Sequence, residues 1–485
     1  MTATNPGGSG SRGVLVVLAW NSSGAIIGAI LQLCYTAYTA RMVSPGAYGA
    51  YAVATTLMTL LAPFACPGLG TYLLRAERLT QRMVRTAWKV SAATGAVCCA
   101  VVQAVTPLCV AVWDLPDAGP LLRLAALQAL VQPAAAVAVT ALRRLGQGRF
   151  TALTELVCQA GGMATASALL ALGWTPYGLA VAPALGAAYT LVVSGPRLHR
   201  AAAEDGPPVP VRSMLGLSGA FAGYSLIQSL TLSAPLWAVT RGLGATAAGQ
   251  FSRATLTTAL PGDMLFQNFH RAVTPALARR NGNGLPLGPA VRDVLSAASA
   301  LAFVFFGAIA GAGPSALRLL LGPGWETACT LVPVLALGAA FTLLYNVCYA
   351  VDEVRKAMGA LLRIQVAVSI ATVVTAAAAA VARDLTLLAS AVAVGTGLGH
   401  LLQLRRWYRD GVVPPAALAR PYLVHTAVGA ALWASGSAGA SLGGTPLAAT
   451  GCSLLGMLPV ALVCLAARRR MPLYATAVQR GLVSP

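Results

Sequence analysis

Charge is what this sequence has least of. Only 9% of its 485 residues are Asp, Glu, Lys or Arg, and 57% are hydrophobic; soluble domains carry roughly 25% charged residues. No soluble core could absorb so much Leu, Val and Ala, so apolar side chains must face lipid. Acid is scarcest, with 13 Asp and Glu against 33 Lys and Arg, a net charge of +20. A nucleic-acid protein would gather its basic residues on one water-facing patch with aromatics between them. Here they fall in short clusters between long apolar runs, which excludes that partner and points to membrane topology. The ten cysteines lie almost entirely in apolar runs, without metal-ligand spacing or a disulfide framework, and read as small packing residues. There is no Ser/His/Asp set, metal cluster or nucleotide-binding motif, so we expect no enzyme, no metal and no cofactor.

What is present is a series of long apolar stretches. Crossing the hydrocarbon core takes about 20 apolar residues. The apolar run from Gly13 to Ala40 far exceeds the ~7–15 residues of a signal-peptide core and is expected to remain as the first helix. The first six predicted spans are Gly13–Ala40, Ala47–Leu73, Val90–Val112, Leu121–Leu142, Thr151–Leu172 and Tyr177–Val193. Six more are Met214–Val239, Ala245–Phe269, Val291–Ala312, Ala328–Val351, Met358–Val381 and Leu385–Leu404. Pro421–Ala438 and Leu447–Ala466 complete fourteen, of which the eighth is the least apolar.

Loop charge tests this count independently, because charge was not used to make it. With the first residue inside, 27 of the 33 basic residues fall on the inner side. The expectation is a multi-pass protein of the inner (plasma) membrane with both termini cytoplasmic.

Arg41, Gly49, Tyr51, Ala54 and Thr55 align, two hundred residues on, with Arg241, Gly249, Phe251, Ala254 and Thr255. Both stretches join the first helix of a half to its second. An even number of spans per half makes a parallel repeat with its axis along the membrane normal. The expected organisation is an N-lobe over 1–195 (spans one to six), a cytoplasmic linker over 196–213 and a C-lobe over 214–410 (spans seven to twelve). Spans thirteen and fourteen and a cytoplasmic tail occupy 411–485.

The stretch from Tyr38 to Tyr51, Tyr-Thr-Ala-Arg-Met-Val-Ser-Pro-Gly-Ala-Tyr-Gly-Ala-Tyr, resembles the first-helix signature of the polysaccharide and oligosaccharide flippases. These are of the lipopolysaccharide/O-antigen exporter type, within the multidrug/oligosaccharidyl-lipid/polysaccharide exporter superfamily. Leu142-Arg-Arg-Leu-Gly-Gln-Gly-Arg-Phe with Glu155, Phe251-Ser-Arg-Ala with Pro261, Val273-Thr-Pro-Ala-Leu and Leu320-Leu-Gly-Pro-Gly-Trp resemble later parts of that family in the same order. The resemblance implies two six-helix bundles that alternate access and move a polyprenyl-pyrophosphate-linked glycan outward. It implies as partners the lipid-linked glycan, the bilayer, a proton or sodium ion for coupling, and polysaccharide polymerase and glycosyltransferases.

Charges inside a membrane are costly, and are functional candidates for that reason. Arg253 lies about eight residues into the eighth span, where its repeat partner is Val53, and its planar fork suits phosphate. Gln250, Arg253 and Thr257 share a helical face and are expected to line the cavity. Asn21, Gln32, Arg75, Asn268, His270 and Arg271 are further substrate-contact candidates. Glu155 and Asp263, the acids within the predicted spans, are ion-coupling candidates; pairing with Arg149 and Arg271 is the bland reading for each. Arg41, Arg241, Pro45, Gly49 and Pro261 are expected to serve gating or structure.

The alternatives are an ion-coupled drug or metabolite antiporter of the same superfamily, and a membrane glycan polymerase or ligase. Such antiporters carry deeper acids in the first lobe, whereas this chain has only Glu155. The enzymes need a large outer loop, and the outer loops here are short except Gly313 to Thr327.

Overall fold

The computed structural model describes residues 27–65, 69–75, 79–202, 211, 219–414 and 416–468. Its elements are helices. They are α1 (27–42), α2 (Pro45–Ala65), α3 (Leu69–Arg75), α4 (Gln81–Trp113), α5 (Ala118–Arg144), α6 (Gly148–Ala171) and α7 (Tyr177–Ala201). Then come α8 (Gly219–Leu243), α9 (Ala245–Gly282), α10 (Gly288–Leu321), α11 (Glu326–Val354), α12 (Met358–Ala382), α13 (Leu385–Arg409), α14 (Ala416–Ala440) and α15 (Pro446–Ala466). Among the described residues a helix lies over part or all of each of the fourteen predicted stretches, α2 and α3 together covering the second, while 13–26 of the first stretch and 214–218 of the seventh lie outside the described residues. Among the described residues, α4, α5, α7, α10, α11, α12, α13 and α15 are long and apolar enough on their own to cross a membrane.

Local chemistry sets several boundaries. Thr80 accepts a hydrogen bond from the Met83 amide at 3.2 Å and starts α4, and Asp114, in the left-handed region at φ 54°, ends it. Asp384 accepts from the amides of Thr386 and Leu387 and starts α13, placing an acid where a helix N-terminus favours one. The eighth stretch is longer than expected. α9 runs 38 residues, continuing through Pro261 and Pro275. Within α10, Ala300–Phe305 forms a π-helical segment.

Polarity is distributed as lipid demands. Gln365, His400, Gln403 and Asp352 are buried while Leu423, Leu401, Val374 and Val192 are exposed, the inverse of a water-soluble surface. The protein is a polytopic, all-α membrane protein.

Cα proximity divides the chain into two compact units, one of Met1–Ser44 with Val53–Gly223 and one of Pro45–Ala52 with Tyr224–Pro485. The core of the first is built from Leu69 and Leu73 of α3, Val84 and Ala87 of α4, Val137, Ala141 and Leu142 of α5, and Leu198 of α7. In the second, Val291, Leu295 and Phe306 of α10 pack with Leu343, Leu344 and Val347 of α11, Trp407 of α13 and Leu418 of α14. Here α10 carries α14 and α15 on its side. A Cβ on Gly307 would lie 2.4 Å from the Gly429 carbonyl oxygen, so α10 and α14 touch backbone to backbone. Membrane helices pack through such small residues because lipid offers no hydrophobic drive for their association.

Candidate functional site

The repeat-related segments meet in the second unit. The first turns of α2, Pro45–Ala52, cross the first turns of α9 so closely that only glycine fits at either contact. A Cβ on Gly49 would sit 1.9 Å from the Ala245 carbonyl oxygen, and one on Gly249 would sit 1.8 Å from the Pro45 carbonyl oxygen. These four residues are two pairs at the same two-hundred-residue offset, so the contact is reciprocal: each glycine faces the counterpart of the residue that its own counterpart faces. Gly46 faces Thr246, again its repeat partner, with 3.4 Å between a Cβ there and Thr246 Oγ1.

Arg253 lies just beyond this crossing. It is only 8% exposed, and its guanidinium carbon stands 3.5 Å over the centre of the Tyr48 ring. Tyr48 is fully buried and meets Tyr51 and Trp325 edge-to-face, with centroids 6.2 and 5.6 Å away. A desolvated arginine on an aromatic face gains about 2 kcal/mol, so the ring pins the cation to the base of the crossing.

Gln250 departs from the expected cavity-facing stripe. Its Nε2 donates to the Gly324 carbonyl at 2.6 Å and its Oε1 accepts from the Ala328 amide at 2.9 Å. Both ends of the amide thus hold the turn that carries Trp325 into α11. Thr257 donates back to the Arg253 carbonyl at 3.4 Å. The polar stripe therefore builds the packed surroundings of Arg253.

The other candidates scatter. His270 Nε2 stands 3.4 Å from Glu353 Oε2, Arg271 donates to Gln267 on its own helix, and Asn268 is exposed. Gln32 is half-buried in α1; Asn21 and the Arg75 side chain lie outside the described residues. Glu155 pairs with Arg143, near the end of α5. Asp263, Arg41 and Arg241 are exposed, and Pro45 and Pro261 half-buried.

Several buried polar groups were not anticipated. Asp352 is 0% exposed although it falls one residue past the predicted end of its span. It accepts from Trp407 Nε1 at 3.0 Å and pairs with Arg355 at 3.3 Å and with Arg406. Higher on α13, His400 Nε2 is 2.9 Å from the Tyr422 hydroxyl, with the two rings stacked, and its Nδ1 is 3.4 Å from Cys348 Sγ. His425 Nδ1 contacts Ser299 Oγ at 2.8 Å, beside the π segment. Gln365 accepts from the Tyr345 hydroxyl at 2.9 Å. Thr396, His400, Gln403 and Trp407 recur at helical spacing, a signal that the sequence does contain.

Next to the π segment, an apolar cavity of about 300 Å³ opens between α10, α11 and α14, with Phe303, Phe306, Leu337 and Trp433 on its wall. The buried Arg253 and this apolar recess both belong to the second unit.

Comparison with known proteins identifies the architecture. A family described as polysaccharide biosynthesis protein matches residues 39–330. Among solved structures, a lipid II flippase MurJ in an inward closed conformation matches with a TM-score of 0.67 at 11% identity, covering 92% of this chain and 98% of that one. An inward-facing MATE multidrug resistance transporter of the MOP superfamily matches with a TM-score of 0.66 at 13% identity, over 82% of this chain and 98% of that one. A MOP superfamily transporter from Pyrococcus furiosus matches at 0.53 and 15% identity, over 80% and 94%. No curated protein sequence matches.

Proposed function

Since this chain belongs to the polysaccharide biosynthesis protein family, we propose that it is a flippase moving a polyprenyl-pyrophosphate-linked oligosaccharide from the inner to the outer leaflet. The step would serve surface polysaccharide biosynthesis. The observation that carries this reading is the family match falling on a chain folded as a multi-pass transporter. A glycan and its pyrophosphate cannot enter hydrocarbon unaided, whereas the polyprenyl tail stays in the bilayer throughout. The protein must then shelter the head and leave all but the nearest part of the tail in lipid, by alternating access to the two sides.

Within this reading Arg253 is the cation for the pyrophosphate. In the arrangement described here its guanidinium lies on Tyr48, so binding the anion requires the α2–α9 crossing to loosen. Gly49 and Gly249 then form the closure, and Pro45, Pro261, Arg41 and Arg241 serve its movement. The cavity of about 300 Å³ beside α10 suits a segment of the tail. Thr257, Gln32, Arg75, Asn21, Asn268, His270 and Arg271 remain proposed head-group contacts, and Gln250 acts through the turn it clamps. Asp263 is favoured over Glu155 for coupling to a proton or sodium ion, because Arg143 already neutralises Glu155. Fourteen crossings with both termini in the cytoplasm follow from the loop charges.

Deleting the gene tests the reading: lipid-linked glycan should accumulate facing inward and surface polysaccharide should be lost. Normal surface polysaccharide in the deletion strain would overturn it. The likeness to MATE folds supports a second reading, an ion-coupled antiporter of drugs or metabolites. Unchanged glycan together with raised sensitivity to cationic drugs in that strain would favour it.

A further inference from the structure

One recess in the second unit plays no part in this account. Between α12 and α13, at the C-terminal end of α13, lies a cavity of about 480 Å³ lined by Arg363, Arg405, Arg406 and Arg409 together with apolar residues such as Ile364 and Leu402. No acid lines it. Arg406 is paired from behind with the buried Asp352, which fixes it and, being shared with Arg355, offsets part of its charge. Arg363 bonds only a neutral group through its Nε, the Gly359 carbonyl at 3.3 Å. Three arginine charges therefore converge on the recess beyond the partly compensated one.

Its depth and its walls are those of a lipid site. The stretch Leu385–Leu404 contains no Asp, Glu, Lys or Arg and is about as long as the hydrocarbon core is thick. Arg405 and Arg409 accordingly stand at headgroup level. Leaving the recess along α12, Leu362, Val366 and Ile370 are exposed, and Leu398 and Leu401 are exposed on α13. Apolar flanks thus continue from a cationic pocket towards the bilayer centre. Basic pockets between membrane helices on the cytoplasmic side recognise anionic headgroups, and arginine forks bind phosphate oxygens in pairs.

We propose that this recess binds the phosphate headgroup of an anionic phospholipid, whose acyl chains lie along the exposed faces of α12 and α13. The site is separate from the cargo reading and is tested without it. The arginines are thus more than topology signals: four of them close on one pocket, and one is held in place by a buried carboxylate.

The test uses the full-length protein in neutral detergent, titrated with phosphatidylglycerol or phosphatidylcholine and read by native mass spectrometry. Wild-type protein should retain phosphatidylglycerol at least about tenfold more tightly. At about fivefold per arginine, the double variant Arg405→Gln/Arg409→Gln should bind it about 25-fold more weakly. Arg279→Gln/Lys356→Gln removes the same charge elsewhere and should change binding less than about twofold, the scale of diffuse charge effects. Inorganic pyrophosphate should not displace the lipid. Equal weakening in the control pair, equal retention of phosphatidylcholine, or displacement by pyrophosphate each overturns the proposal. Should the arginine variant not elute as a folded species, the wild-type lipid preference and the pyrophosphate competition decide.

Discussion

Replacing Gly249 by alanine inserts a methyl group 1.8 Å from the Pro45 carbonyl oxygen. Ordinary contact begins near 3.4 Å, so the α2–α9 crossing must open by about 1.6 Å to admit it. Backbone cannot rotate aside as a side chain can, and overpacking of this kind costs about 1–3 kcal/mol. The same helix contains its own control. A Cβ on Gly262 would meet only the Phe306 ring tip, at 3.5 Å, and alanine gains up to about 1 kcal/mol over glycine inside a helix. Denaturant unfolding in detergent should thus show Gly249→Ala destabilised and Gly262→Ala neutral or stabilised. Gly49→Ala, with 1.9 Å to the Ala245 carbonyl oxygen, should behave as Gly249→Ala does. The double variant should cost less than the sum, since one opening admits both methyl groups and sites in contact do not add. Equal stability of Gly249→Ala and Gly262→Ala, or strict additivity of the two crossing variants, would refute the reciprocal contact.

Arg253→Ala should abolish the stacking on Tyr48, worth about 2 kcal/mol, and reduce polysaccharide export at unchanged protein level, with Arg253→Lys intermediate; full export by the alanine variant contradicts the role given to this cation. Gln250→Leu strips the Gly324 carbonyl and the Ala328 amide of their partners and should destabilise by about 1–3 kcal/mol, seen as a lowered unfolding midpoint. Asp352→Asn removes the carboxylate shared by Arg406, Arg355 and Trp407, and breaking a buried pair of this kind costs about 3–5 kcal/mol; a midpoint unmoved from wild type would show that the cluster is not holding α11 to α13.

Much of this fold is legible in the sequence because lipid is a strict solvent. A run without charge has to be a helix, and the basic clusters mark where runs end. The match of Gly49 with Gly249 was visible as a repeat, but its meaning was not: two aligned glycines do not say that they face each other. For Arg253, being charged where Val53 is not made it conspicuous, but no local pattern reveals that its guanidinium lies on the Tyr48 ring. Gln250 shows why a shared helical face is a weak argument: its amide is taken up by a turn 74 residues away, a partner that no local pattern reveals. Asp352 escaped notice because a hydropathy count ends a span at the first charge, while the helix continues and buries that charge against Arg406. His400 and Gln403 escaped because single polar residues in an apolar run look like noise until their spacing with Thr396 and Trp407 is read as one face.

The central claim is transport itself, and proteoliposomes test it most directly. Purified protein is reconstituted with a fluorescent polyprenyl-pyrophosphate-linked oligosaccharide, and an impermeant glycosidase reports which head groups reach the outside. An inside-negative potential favours outward movement of a pyrophosphate by about 2.3 kcal/mol per charge per 100 mV. The account predicts that protected glycan becomes cleavable in protein-containing vesicles, faster with the potential imposed, and that Arg253→Ala slows the conversion. Glycan that stays protected at the rate of protein-free vesicles would contradict it.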